Sequence, residues 1–152
     1  MLRRFAPSAA FLIMANAPAY SAEPSALAEI EGRCTKFVYA GRTLDGCKNV
    51  LLNTIYIDGR TGFYLLSGSN IVTFSGHGSR QVKRGADDII QPIDTVITAI
   101  NGKASGIKAT GSCRFGNPYK GAVKIQCAAD TRNGRFEADF LTNGQPPSVT
   151  NF

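Results

Sequence analysis

The chain has one histidine, and its four cysteines include no Cys-x-x-Cys pair. A thioredoxin-like redox site and a paired-cysteine zinc site therefore find no residues to build them, and a transition-metal site lacks ligands. The acidic pair Asp87-Asp88 stands outside any Asp-x-Asp-x-Asp-Gly spacing, so no calcium loop of that kind is written here. No Gly-x-Ser-x-Gly elbow and no Gly-Lys-[Ser/Thr] phosphate loop occur. The only glutamates are Glu23, Glu29, Glu31 and Glu137, and nothing singles out two of them as a glycosidase pair. No cofactor and no metal is expected.

Long apolar runs are missing as well. The longest near the start, Ala9–Ala15, is far shorter than the ~20 residues of a membrane span. It follows Arg3 and Arg4 and precedes small residues with candidate cleavage points after Ala19, Ser21 or Ala22. That is the layout of a secretory signal peptide, here 1–22, and it predicts an exported chain, periplasmic or extracellular and of bacterial type. Removing Arg3 and Arg4 leaves fifteen basic against eleven acidic residues, a net charge of +4. Such a balance favours anionic surfaces such as envelope polymers or acidic lipids.

In an exported chain, four cysteines predict two disulfides. Spacing favours the local pairs Cys34–Cys47 and Cys113–Cys127 over the other two connectivities.

Nor does any stretch hold a helical period over ten residues. From Cys34 onward, short β-branched and aromatic runs alternate with Asp-Gly and Asn-Gly pairs at 45–46, 58–59, 101–102, 133–134 and 143–144. These dipeptides suit type I′ hairpin turns. A two-residue turn at Asn133-Gly134 pairs Thr131 with Phe136 and Cys127 with Phe140. It places Val123, Ile125, Cys127, Phe136, Ala138 and Phe140 on one face. Around Asn101-Gly102, Ile93, Ile97 and Ala99 are expected inward. The reading is an all-β domain, a small antiparallel β-barrel or β-sandwich of about eight strands. It comprises an N-terminal arm at 23–32, the domain at 33–145 and a C-terminal tail at 146–152.

The segment 75–88 is the longest without apolar alternation. It carries His77, Arg80, Lys83 and Arg84 among glycines, where backbone N–H groups and cations can approach an anion. The turn 116–121 offers Asn117, Tyr119 and Lys120, with Tyr119 the aromatic expected at the surface. Residues 76–88 and 116–121 are the expected contact loops of a non-catalytic binding or envelope-accessory domain. Its partner would be an anionic envelope component, a small ligand or another protein; nucleic acid is not expected. One alternative is a secreted inhibitor or effector acting on another protein. Ranked last is a small hydrolase using His77 as base, with Asp87 or Asp88 as orienter.

Overall fold

The structure, a computed structural model, describes residues 22–152. The strands are β1 (Pro24–Tyr39), β2 (Arg42–Thr43), β3 (Val50–Tyr56), β4 (Arg60–Ser67), β5 (Asn70–His77) and β6 (Val82–Gly85). They continue as β7 (Asp88–Ile100), β8 (Lys103–Phe115), β9 (Lys124–Thr131), β10 (Gly134–Thr142) and β11 (Ser148–Asn151). Single 3₁₀ turns lie at Gly78–Arg80 and Pro118–Lys120. Strands β1, β3, β4, β5, β7, β8, β9 and β10 pair antiparallel in that order, and β10 returns to β1. The sheet is thus a closed eight-stranded barrel rather than a sandwich. The short strands β2, β6 and β11 are added to it. The leader expected at the N-terminus falls, apart from Ala22, outside the described residues.

Strand β1 closes the barrel by changing partners. Its first half, Pro24–Glu31, pairs with β3, and its second half pairs with β10 from Gly32↔Thr142 onward. The change falls at Gly32, where a Cβ would collide with the Leu141 carbonyl. The arm expected at 23–32 is therefore strand from Pro24. The tail expected at 146–152 supplies β11, which pairs with Ala26–Glu29. Neighbours on both edges hold Ala- and Glu-rich residues extended despite their weak strand preference.

Eight strands leave an interior that side chains fill. Phe37, Phe63, Phe74, Phe136 and Phe140 meet there with Leu51, Leu65, Val72, Val96 and Ile107. Each such side chain contributes roughly 1.5–3 kcal/mol when fully buried. Both expected disulfides are present. Cys113 and Cys127 face each other across β8 and β9 inside the barrel. Cys34–Cys47 fastens β1 to the segment leading into β3.

Two registers differ from expectation. In the β9–β10 hairpin Thr131 pairs with Gly134 and Cys127 with Ala138, so the loop residues are Arg132 and Asn133. The Thr131 hydroxyl holds this turn, accepting from Asn133 N at 3.0 Å and donating to Gly134 O at 2.8 Å. The slip is two residues, which preserves the faces, so Ile125, Cys127, Phe136, Ala138 and Phe140 still point inward. In β7 the register breaks between Ile93 and Thr95. This bulge inverts the alternation, so Ile93, Val96 and Thr98 face the core while Ile97 and Ala99 turn outward. Of the turns, Asn101-Gly102 has positive φ at both residues, 50° and 79°. Asp58-Gly59 has it only at Gly59, in a three-residue loop where Asp58 Oδ1 accepts from Arg60 N at 3.0 Å.

Candidate functional site

The two loops expected as contact segments meet at one end of the barrel. After His77 the chain turns through Gly78–Arg80, with Gly78 N donating to Gly59 O at 2.9 Å. It enters β6, which pairs Val82 with Ile90 and projects beyond β5 as a short hairpin with β7. Lys83 and Arg84 are exposed along it and Arg80 lies at its root; among the described residues none of the three forms an ion pair. Across from it, Asn117 Oδ1 accepts from Tyr119 N at 3.0 Å and fixes the turn that leaves Tyr119 59% exposed. Lys120 Nζ lies 3.4 Å from Asp87 Oδ1, tying the loops together. Asp88 accepts two hydrogen bonds from Arg114, at 2.8 and 2.9 Å. Those bonds hold the Asp88 carboxyl below the usual carboxylate range.

Asp87 and Asp88 are thereby engaged with cations and do not orient His77, contrary to the hydrolase alternative. His77 faces the outer wall. There Arg60 Nη1 lies 3.0 Å from His77 Nε2, and because a guanidinium only donates, the ring nitrogen accepts. Arg60 also donates to Ser75 Oγ at 3.2 and 3.1 Å and to Asp94 Oδ1 at 2.5 Å. Asp94 occupies the β7 bulge and accepts from Thr95 Oγ1 at 2.8 Å. Burial works against the Asp94 charge, but the Arg60 and Thr95 hydrogen bonds outweigh it and lower its pKa. Beneath this cluster, fully buried Gln91 donates to the carbonyls of His77 and Pro92, each at 2.9 Å, and anchors the root of the 78–87 excursion.

Next to Arg60 a cleft of about 260 Å³ opens on the outer wall, lined by Ala22, Tyr56, Arg60, Tyr64, Thr73, Ser75 and Ile97. The Tyr56 and Tyr64 hydroxyls bond to each other, and the Tyr64 ring lies over Gly62, where a Cβ would come within 2.9 Å. Burial, reinforced by the Tyr56 hydroxyl, makes Tyr64 a much weaker acid than an ordinary phenol. Phenol rings, hydroxyls and one guanidinium converge here on an apolar floor, the mix of a few polar groups on an apolar lining that ligand sites share. Ser75 Oγ is bound by Arg60 rather than by His77, so the cleft holds no serine–histidine pair.

Of the residues expected from sequence, Lys83, Arg84, Asn117, Tyr119 and Lys120 gather at the barrel end, with Arg80 at the root of the hairpin. His77 belongs to the outer cluster instead. Arg60, Asp94, Tyr56 and Tyr64 carried no motif. The one available signal was Asp94, a lone charge in the apolar run 89–100. Among the described residues no cluster of three or more His, Cys, Asp or Glu side chains is placed to hold a metal ion. Comparison with protein families, with characterised proteins and with solved structures finds no match for this chain.

Proposed function

We propose that this protein is an exported, non-catalytic recognition domain that binds an anionic envelope component at the barrel end formed by 76–88 and 116–121. The carrying observation is that side chains fill the barrel interior while Arg80, Lys83, Arg84 and Tyr119 stand exposed on the two loops. A filled eight-stranded barrel favours surface recognition over an internal ligand. Arg80, Lys83 and Arg84, without ion-pair partners among the described residues, supply the attraction. Two disulfides, bonds that form and persist in oxidising compartments, support export.

The test is a thermal-shift and binding screen of chain 23–152 against acidic glycans, anionic vesicles and small ligands. Stabilisation by an anionic class that weakens with salt is expected. It should fall about tenfold or more in the variant Arg80→Glu/Lys83→Glu/Arg84→Glu. Stabilisation by no class, or equal binding by that variant, overturns this reading.

The fixed Asn117–Lys120 turn favours a second reading, an inhibitor or effector that presents Tyr119 to another protein. Inhibition of a protease or lysozyme that is lost in Tyr119→Ala would replace the first reading.

A further inference from the structure

Barrel closure removes sheet edges, but three short additions restore them: β2, β6 and β11 each have one edge unpaired among the described residues. Strand β2 has only two residues, and β6 carries Lys83 and Arg84 within four, the usual guards of an edge. Strand β11, Ser-Val-Thr-Asn, contains neither charge nor proline and is exposed throughout. Phe152 N donates to Ser25 O at 3.1 Å, which fixes the alternation. Ser148 and Thr150 bond inward to β1, and the N–H and C=O of Val149 and Asn151 point away from it.

The two faces beside this edge differ in chemistry. Val149 and Asn151 share a face with Ala26, Ala28 and Ile55, of which Val149 is 46% and Ile55 49% exposed. On the opposite face Glu29 lies directly across from Ser148. Glu29 and Glu31, with Gln145, Pro146 and Ser148, line a cleft of about 320 Å³. Among the described residues no cation pairs with either carboxylate, although the chain is net basic and Arg33 is two positions on.

We propose that β11 is a strand-addition site for an extended peptide segment of alternating apolar and basic residues. The segment would hydrogen-bond the outward backbone of Val149 and Asn151. It would lie about 5 Å beyond β11 and about 10 Å from β1. A lysine or arginine on its outer-face positions reaches back over the small Ser148 side chain to Glu29 and Glu31, and its apolar residues meet Val149. This surface shares no lining residue with the Arg60 cleft or with the loops 76–88 and 116–121, so either proposal can fail alone.

The test is fluorescence anisotropy of chain 23–152 with a labelled alternating Lys-Val peptide and its Glu-Val counterpart, at low and high salt. Hydrogen exchange is read in parallel. The Lys-Val peptide should bind, more weakly in high salt, and should protect the amides of Val149 and Asn151. Val149→Pro removes a donor that β1 does not use, so it should abolish binding while leaving Tm nearly unchanged. Glu29→Lys/Glu31→Lys, confined to the surface, should weaken binding about tenfold and keeps the test decisive if the proline variant unfolds. Equal binding of the Glu-Val peptide, binding unaffected by either variant, or protection at other strands overturns the proposal. So does protection of Val149 and Asn151 by self-association without peptide.

Discussion

Replacing each disulfide in turn by alanines separates what the two contribute. The closed loops are nearly equal, with separations of 13 and 14 residues, so the chain-entropy loss of each is about 3 kcal/mol. Packing distinguishes them. Cys113 and Cys127 are 0% and 2% exposed inside the barrel, whereas Cys34 and Cys47 only rest against the core. Cys113→Ala/Cys127→Ala leaves two voids of roughly methyl size, each costing about 1 kcal/mol more. The expected losses are thus about 5 kcal/mol for this variant and about 3 for Cys34→Ala/Cys47→Ala. At roughly 4 °C per kcal/mol, the inner variant should melt about 8 °C below the outer one. Calorimetry and urea unfolding of chain 23–152 give both numbers. Equal losses, or a larger loss for the outer pair, would refute the assignment of Cys113–Cys127 to the core. Losses under about 1 kcal/mol for both would refute the entropic reasoning itself.

Other perturbations probe the bulge, the turns and the ion pairs. Val96→Ala should cost about 2 kcal/mol and Ile97→Ala under 1, by denaturant unfolding; the reverse order would mean that the alternation of β7 runs unbroken. Ala40 has φ 49°, so Ala40→Gly should stabilise by about 0.5–1 kcal/mol, seen as a raised Tm. Asp88, Asp94 and Glu137 have lowered pKa values in the fold, so below about pH 4 the unfolded chain binds more protons than the folded one. Their stabilisation is full above that pH and is lost as pH falls through the lowered folded values. Tm should therefore stay level from neutrality to about pH 5 and drop below about pH 4, less steeply in Asp94→Asn.

Much of the fold could be read in the sequence because it is local. Cys34–Cys47 and Cys113–Cys127 lie within one hairpin-sized span each. The alternation through 123–140 identified its core face even though the turn sits one residue earlier and the register is shifted by two. What escaped depends on distant partners. Closure joins β1 to β10, more than a hundred residues away, as in the Thr35 hydroxyl donating to Asp139 O at 3.3 Å. The bulge at Asp94 is one residue with no dipeptide signature, yet it inverted the reading of Ile97 and Ala99. The Ala40-Gly41 turn, with both φ positive, uses an alanine where propensity favours asparagine. The outer cleft and the cluster beside it assemble Tyr56, Tyr64, Arg60 and Asp94 only because β3, β4, β5 and β7 lie side by side, which no spacing reveals.

The change of partners along β1 also governs the order of assembly. Strand β1, the first among the described residues, finds β3 early, but its second half waits for β10 and its outer edge for β11. Until residue 142 arrives, the aromatic interior has no wall on that side, and Phe37 lacks its β10 neighbours. Contacts of such high sequence separation make the final step slow and concentrate aggregation risk in that interval. The two disulfides can both form beforehand, since Cys127 precedes β10. Oxidation can thus stiffen the partly delivered sheet before the last strand seals it.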